Sequence, residues 1–434
     1  MESKKEFFQN KYYVCLDVIS FSSRTSSSLC FWATGNELLS GKFNNRQLLK
    51  GILQVHIFIA IFTLAVSINR GVKKSGGETP VILKNNKTEV QAGYLILLCA
   101  LPFELYVNFV KLKFVANSGY ASLYQELALN SIPSVAKILS YFFMPGCFYV
   151  FFASKNNSIN ERISLLLLAF HSVVELLIGY RAMAIIPVLL VLYGYSVKSA
   201  NQGIEIEKKQ KRRIFWLCIL LAIVIMVIFP VVRATRNQGG IGMLTLSDIL
   251  SIENNEIFST INDMGKSLQT VIYTQDLVPE QYSYRYGITY LYNLSEAVPN
   301  LFWDRHPAEV YGSLGRWLTK IVDYSFYEFG GALGYSCVAE SYINFGWVGV
   351  IVIAFILGMV IQKVENKVEN SNVASVHASW VILANYLLMY PRGELSTIVR
   401  GFFWYMLIPF IFVKIIKTGG RFNVYRRSSN EKQT

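Results

Sequence analysis

The chain has 434 residues, a net charge of +13, 53% hydrophobic residues and only 16% charged residues. Soluble domains contain roughly 45–50% apolar and about 25% charged residues. This composition excludes an ordinary soluble globular protein and indicates an integral membrane protein. The basic residues are concentrated on the side of the membrane predicted to be cytoplasmic, as described below. Membrane topology therefore accounts for the positive charge, and we expect no nucleic-acid partner.

Apolar runs along the chain are about long enough to form membrane-spanning helices. A helix needs about 20 apolar residues to cross the ~30 Å hydrocarbon core. A weaker apolar run near 12–32 contains Arg24 and several serines. If it is counted as a tenth span, both termini lie on the same side of the membrane; with nine spans they lie on opposite sides. We therefore predict an all-α polytopic membrane protein with about ten transmembrane helices. The nine clearer runs lie near 48–69, 90–115, 131–153, 162–179, 182–197, 212–232, 345–362, 374–390 and 397–416.

Lysine and arginine near the span ends predict the orientation of the chain. With ten spans, one side carries 24 basic residues, and the other side, which includes residues 233–344, carries 15. The more basic side is predicted to be cytoplasmic and to hold both termini. The predicted organisation is an N-terminal bundle at 1–232, a large helical periplasmic loop at 233–344, and a three-span segment with a cytoplasmic tail at 345–434.

The long loop is rich in aromatic residues. It contains eleven of the 26 tyrosines, many of them in the stretch Y-S-Y-R-Y-G-I-T-Y-L-Y. Flat aromatic faces beside Arg285, Tyr286 and Tyr290 would suit the binding of sugar rings. Tyrosine and tryptophan also form belts at membrane interfaces, so the tyrosine content alone does not decide between the two interpretations.

Arginine is enriched on the predicted outer side. Nine of the 15 outer basic residues are arginine, against seven of 24 on the inner side. The planar guanidinium group binds phosphate and carboxylate with two hydrogen bonds, which favours an anion site, although chance or interfacial arginines would give the same count. Five of these arginines lie at outer helix ends and are predicted to surround one cavity: Arg181, Arg233, Arg236, Arg392 and Arg400.

The predicted spans contain ionisable side chains, among them Glu104, His171 and Glu175, and such groups are costly within a membrane and often functional. Glu104 lies in the run 90–115, while His171 and Glu175 are one helical turn apart in the run 162–179. That run meets the next one at G-Y-R, which predicts an antiparallel helix pair. The polar residues could form a track from an outer cavity. Alternatively, Glu104 is hydrogen-bonded within the bundle and Glu175 is a counter-ion for Arg181.

The sequence contains no recognisable metal or cofactor motif. The six cysteines are scattered without a C-x-x-C, and the six aspartates are isolated without a D-x-D. We therefore predict no disulfide, no metal site and no cofactor. If the protein is a transferase whose substrate carries a diphosphate leaving group, arginine side chains would have to neutralise the negative charge of that group.

Residues 160–415 resemble the Wzy-type O-antigen polysaccharide polymerases, within an architecture similar to GT-C-type membrane glycosyl transferases. The resemblance is carried by Y-R-Y-G-I-T-Y-L, G-Y-S-C-V-A-E-S-Y-I-N-F-G-W-V-G and P-R-G-E-L-S-T-I-V-R-G-F-F-W. It implies a bacterial inner-membrane enzyme that joins undecaprenyl-diphosphate-linked oligosaccharide repeat units on the periplasmic face. It also implies pathway partners, namely a chain-length regulator and a flippase.

The segment S-C-V-A-E at 336–340 separates two related enzyme classes. O-antigen ligases resemble this architecture but typically carry a His-Asn pair at this position, and no histidine is present here. We therefore favour a polymerase over a ligase or a lipid-linked oligosaccharide flippase. Glu340 is predicted to orient or deprotonate the acceptor hydroxyl, and His306 is a weaker candidate for this role. Arg233 and Arg236 are also predicted catalytic residues, which would hold the diphosphate. The alternative for Glu340 is an ion pair with an arginine.

Overall fold

The computed structural model describes residues 42–71, 83, 86–124, 131–201, 267–298 and 306–418. Within these ranges the chain is helical and contains no strand. Short 3-10 turns occur at Tyr120–Tyr124 and Tyr390–Arg392. The α-helices in chain order are α1 (Asn45–Gly71), α2 (Lys87–Ser118), α3 (Ser134–Ser140), α4 (Phe143–Ala153), α5 (Ile159–Ile178), α6 (Arg181–Asn201), α7 (Ser267–Leu277), α8 (Ile288–Ser295), α9 (Pro307–Tyr311), α10 (Leu314–Val322), α11 (Tyr324–Glu328), α12 (Cys337–Glu369), α13 (Ala374–Met389) and α14 (Leu395–Arg400).

The described residues include six segments that are long and apolar enough to cross a membrane, which confirms the prediction of an all-α membrane protein. Helix α5 carries three charged residues and α13 has only 16 residues, so neither belongs to this group. The predicted spans near 12–32 and 212–232 lie outside the described residues, and the total of ten stays a prediction. The six segments are Asn45–Ile68, Lys87–Ser118, Ser134–Ala153, Arg181–Lys198, Cys337–Glu369 and Leu395–Thr418.

The chain divides into two compact units, and each is built from segments that are distant in the sequence. The first unit comprises Met1–Glu78, Glu253–Asn366 and Tyr386–Val399. The second unit comprises the remaining segments, Thr79–Ile252, Lys367–Asn385 and Arg400–Thr434. The division predicted from topology was continuous along the chain, whereas contacts group the loop residues with both earlier and later helices.

The core of the first unit lies among α1, α7, α10 and α12, where glycines let helices approach closely. A Cβ on Gly51 of α1 would lie 2.5 Å from the side chain of Ile272 in α7. A Cβ on Gly358 of α12 would lie 2.7 Å from the backbone oxygen of Phe62 in α1. Helix α10 contributes Leu314 and Leu318, both fully buried in the same cluster. Residues of the predicted periplasmic loop therefore share one apolar core with α1 and α12.

The second unit contains α2 to α6. Helix α2 packs closely on α4 because Gly93 lies against the backbone of Val150. The predicted antiparallel pair is confirmed, since α5 ends at Ile178 and α6 begins at Arg181. Gly179 makes this turn with φ +103°, a left-handed conformation that favours glycine, and its amide donates to the carbonyls of Glu175 and Leu176.

Two lysine-carboxylate pairs connect segments within the second unit, one fully buried and one with a partly exposed lysine. Lys198 Nζ lies 2.6 Å from Glu161 Oε1 and also donates to the carbonyls of Phe151 and Ser154. Such multiple hydrogen bonding is what allows a buried charge to be tolerated. The second pair joins the distant segments of this unit: Lys417 lies 2.5 Å from Glu89, which also accepts the amide of Ser375.

The last membrane-spanning segment, Leu395–Thr418, which begins with α14, changes its winding along its length. It begins as an α-helix at Leu395–Arg400, continues as a π-helix at Gly401–Leu407, and returns to α-helical geometry up to Thr418. A π-helical turn contains more residues than an α-helical turn. Side chains before and after this stretch are consequently out of phase with a regular α-helical pattern.

Substitution of Gly358 by valine is expected to destabilise the first unit. The added Cβ would meet backbone rather than a movable side chain, and overpacking typically costs about 1–3 kcal/mol. The measurement is the thermal unfolding midpoint of the detergent-purified protein. The matched control is Ile356→Val, which places valine at an exposed position of the same helix. Equal midpoints for the two variants would contradict the close α1–α12 contact.

Candidate active site

The segment that contains Y-R-Y-G is held against the first part of α12 by three hydrogen bonds that its backbone amides donate. The amide of Arg285 donates to the carbonyl of Ile343 at 2.8 Å, and the amide of Tyr286 donates to the carbonyl of Asn344 at 3.1 Å. The amide of Gly287 donates to the Asn344 side chain at 2.9 Å. These contacts fix the loop segment onto the helix that also carries Glu340.

A kink in α12 supplies the acceptors for this contact. Phe345 and Gly346 depart from helical geometry, and Gly346 has φ +62°, a conformation that side chains rarely adopt. The break frees the carbonyls of Ile343 and Asn344 from helical hydrogen bonding, so that they can accept the loop amides. The G-W-V-G motif therefore breaks the helix at the point where the loop attaches.

Glu340 occupies the centre of the site and has a relative exposure of 0%. Its Oε1 accepts hydrogen bonds from Asn293 Nδ2 at 2.8 Å and from Thr289 Oγ1 at 3.4 Å. Its Oε2 accepts the backbone amide of Leu395 at 2.9 Å. Leu395 is the first residue of α14, so the carboxylate satisfies an otherwise unpaired amide at a helix N-terminus, where negative charge is favourable.

Asn344, one helical turn after Glu340, completes this network. Its Nδ2 lies 2.6 Å from Thr289 Oγ1 and 2.7 Å from the carbonyl oxygen of Glu340. Thr289 and Asn293 are both buried residues of α8. Glu340 and Asn344 thus hold α8 through two layers of hydrogen bonds, and α8 follows directly after the Y-R-Y-G segment.

A second buried carboxylate, Glu394, directly precedes Leu395, the residue whose amide donates to Glu340. Glu394 Oε1 accepts the amide of Gly315 at 3.0 Å, and the amide of Leu314 also bonds to this side chain, at the start of α10. Its buried Oε2 has no hydrogen-bond partner among the described residues. Burial raises the pKa of Glu394 above the ordinary 4.5; the two amides oppose this shift, and the carboxylate of Glu296 adds to it.

Tyrosines form the walls of the site. The rings of Tyr290 and Phe345 are stacked with centroids 6.5 Å apart, and those of Tyr292 and Tyr311 are stacked at 5.3 Å. Burial, followed by the carboxylate of Glu340, raises the pKa of Tyr290, and burial also raises the pKa of Tyr292. These phenols are therefore protonated at neutral pH and can donate hydrogen bonds or pack against rings, but they cannot serve as bases.

Two of the predicted arginines belong to the first unit. Arg285 is half-buried, with its guanidinium group 5.6 Å from the centre of the Trp317 ring. Arg392 is exposed at the end of the turn Tyr390–Arg392, two residues before Glu394. The exposed Tyr286 lies between the two anchored groups, Arg285 and Gly287, in the docked loop segment.

The other predicted site residues have different positions. Arg181 and Arg400 belong to the second unit, whereas Arg233 and Arg236 lie outside the described residues. His306 is buried, and its Nε2 lies 3.2 Å from the carbonyl oxygens of both Ser295 and Val298, just after α8. Glu340, Arg285, Tyr286, Tyr290, His306 and Arg392 all belong to the first unit. Backbone hydrogen bonds attach Arg285 and Tyr286 to the part of α12 that carries Glu340.

Sequence analysis did not identify four residues of this network: Thr289, Asn293, Asn344 and Glu394. Asn344 had a detectable signal, because it follows Glu340 at the four-residue spacing of one helix face. Thr289 and Asn293 show the same spacing in α8. Glu394 was part of a quoted motif, but nothing in the sequence indicates that α10 begins beside it.

The apolar helices and the polar network that anchors their connecting segments define a multi-pass integral membrane protein. The chain matches the family model for the O-antigen polysaccharide polymerase Wzy over residues 2–419, and it therefore belongs to that family. It is an O-antigen polymerase, a transferase of lipopolysaccharide biosynthesis that acts on lipid-linked oligosaccharide repeat units in the membrane. No curated protein and no solved structure matches the chain.

Replacement of Glu340 by alanine is expected to destabilise the protein by about 3 kcal/mol or more. The change leaves three buried donors without their acceptor, each at a cost of roughly 1–3 kcal/mol. Glu340→Gln should have a smaller effect because one oxygen remains. The measurement is thermal unfolding, with Glu280→Gln as a control at an exposed glutamate. If Glu340→Ala matched the control, the network would not stabilise the fold.

The raised pKa of Glu394 predicts a pH dependence of stability. Above pH 4.5 the folded state holds this proton more tightly than the unfolded state does, so the contribution is present at low pH and decreases as pH rises through the folded pKa. Glu394→Gln keeps the acceptor for α10 and should remove this dependence. Unfolding midpoints of both proteins, measured from pH 4.5 upwards, should diverge; parallel curves would contradict the assignment.

Proposed function

We propose that this polymerase transfers the growing O-antigen from undecaprenyl diphosphate to a new lipid-linked repeat unit at the periplasmic face. The bond between the anomeric carbon and a diphosphate oxygen breaks. The same carbon forms a bond with the oxygen of the non-reducing-end hydroxyl of the acceptor, which loses its proton. The observation that carries the proposal is the family match over residues 2–419. The anchored Y-R-Y-G and P-R-G-E segments of the first unit support it.

Charge stabilisation of the departing diphosphate is assigned to arginine. Arg392 is exposed beside a turn whose next helix is fixed by Glu340, and Arg285 is oriented by Trp317 and by its own backbone bond to α12. Pre-positioned cations lower the barrier because they need not reorganise during the reaction. We propose that these two residues act with four further arginines, namely Arg181, Arg233, Arg236 and Arg400.

Glu340 is proposed to be a positioning residue for this reaction. Both of its oxygens are used by α8 and α14, and it has no exposed surface. A general base must come within hydrogen-bonding distance of the proton it removes, so Glu340 would orient the acceptor through the segments it holds. His306 would likewise stabilise the end of α8, while Tyr286 and Tyr290 would contact the sugars.

The finer predictions about location and chemistry are retained as part of this proposal. Both termini are proposed to lie in the cytoplasm of a bacterial inner-membrane protein with about ten spans and GT-C-like architecture. Glycosyl transfer is proposed to proceed without a metal ion, because arginines supply the positive charge. A flippase would deliver the repeat unit, and a chain-length regulator would determine when polymerisation ends.

The test is complementation of a polymerase-deficient strain with arginine variants, followed by electrophoresis of lipopolysaccharide. Arg285→Ala and Arg392→Ala should reduce long-chain product on the order of 100-fold, the usual effect of removing one stabilising donor. Single-repeat lipopolysaccharide should remain. Lysine replacements should retain part of the activity, because they keep charge without the planar fork.

The control for this experiment is Arg162→Ala, at an exposed position at the start of α5. All variants should reach the membrane in equal amounts by immunoblot. Complete loss of O-antigen would indicate a flippase, and polymer that remains on the lipid carrier would indicate a ligase. Unchanged chain length in Arg285→Ala and Arg392→Ala would overturn the assigned role of these arginines.

A further inference from the structure

A buried polar cluster lies between α2 and α5 in the second unit and shares no residue with the polymerase site. Glu104, His171 and Glu175 have relative exposures of only 5%, 8% and 5%. One carboxylate oxygen of each glutamate and one ring nitrogen of the histidine all lie within 4.8 Å of one another. The closest pair is His171 Nδ1 and Glu104 Oε1, at 2.8 Å.

Two further oxygens in this cluster have no hydrogen-bond donor among the described residues. They are Oε2 of Glu175 and Oδ1 of Asn108, and both are fully buried. The other end of the Asn108 carboxamide donates to Glu104 Oε1 at 2.7 Å, which places this side chain beside the three charged groups. A buried acceptor without a donor costs roughly 1–3 kcal/mol, so this arrangement is unfavourable for a structural hydrogen-bond network alone.

In the described part of the chain, the lysine that pairs with this cluster is loosely placed. Lys111 Nζ is 3.9 Å from Glu175 Oε1, the limit for an ion pair, and its side chain is partly exposed. The ring of Phe143 lies 5.9 Å from that of His171. Among the described residues, the ion-pair partner of Glu175 is thus the loosely placed Lys111, and that of Glu104 is His171.

We propose that Glu104, His171 and Glu175 bind one divalent transition-metal ion, with Asn108 as an additional oxygen ligand. Imidazole nitrogen together with carboxylate oxygen suits Zn²⁺ or Mn²⁺, which bind such ligands at about 2.0–2.2 Å. The three ligand atoms lie within 4.8 Å of one another, and rotation of their side chains can bring each of them to that binding distance from a shared ion. The metal replaces any proton shared by His171 and Glu104, and its charge is balanced by the two carboxylates.

The bound ion would connect α2 to α5 within the second unit. This role is separate from glycosyl transfer, and it does not depend on the proposed function being correct. It was not expected from the sequence, because Glu104 and His171 are 67 residues apart and no metal-binding motif joins them.

The experiment measures metal content and stability of the full-length protein purified in detergent. The protein is stripped with a chelator, dialysed against Zn²⁺, Mn²⁺ or Mg²⁺, and analysed by elemental mass spectrometry. We expect about one equivalent of Zn²⁺ or Mn²⁺, little Mg²⁺, and a rise of at least ~3 °C in the unfolding midpoint. As a measurement that requires no variant, the visible absorption spectrum of the Co²⁺-loaded wild-type protein shows whether nitrogen and oxygen atoms bind the metal.

Three variants, Glu104→Gln, His171→Ala and Glu175→Gln, should each lose the bound metal and the thermal shift. His56→Gln is the matched control at an exposed histidine and should behave as wild type. Less than a tenth of an equivalent of metal on the wild type, with no Co²⁺ spectrum, would overturn the proposal. Stoichiometric metal that persists in His171→Ala and Glu175→Gln would overturn it as well, by locating the ligands elsewhere.

Discussion

The first unit depends on the satisfaction of one buried carboxylate. An isolated carboxylate removed from water is strongly destabilised unless it is hydrogen-bonded, and Glu340 is bonded by groups from α8 and from the first turn of α14. The hydrogen bonds of one side chain thus determine how three segments meet. The positions of Arg285 and Arg392 follow from this arrangement, because each lies within a few residues of an anchored backbone group.

Hydrogen bonds of this kind also explain why polar residues can occupy the first turns of α12. Sequence hydropathy begins the corresponding span near residue 345, whereas the helix begins at Cys337 and includes Glu340 and Asn344. Hydropathy counts these two side chains as unfavourable to burial. The structure buries them with donors that approach from other segments, so the helix extends beyond the apolar run.

The sequence was sufficient for features that depend on local composition. Apolar length predicted the membrane helices, and the short G-Y-R connection predicted the α5–α6 pair. The three motifs behind the family resemblance were also identifiable as separate stretches. Their association was not predictable, because the bonds from Asn293 and Leu395 to Glu340 join residues about 50 positions apart and leave no periodic pattern. The pairing of Glu104 with His171 could not be predicted from the sequence for the same reason.

The π-helical stretch that follows α14 affects how lipid-facing residues are assigned in the last span. Each residue of an α-helix advances by about 100° around the axis, and a π-helix advances less. Over Gly401–Leu407 the accumulated lag is on the order of 100°, more than a quarter of a revolution. Val413 is buried and Ile415 is exposed, and both follow the π-helical stretch. A helical wheel that uses one constant period from Arg400 to Thr418 would therefore place both residues at the wrong angle relative to Arg400. The bilayer-exposed side of this helix has to be determined separately on either side of the widened turns.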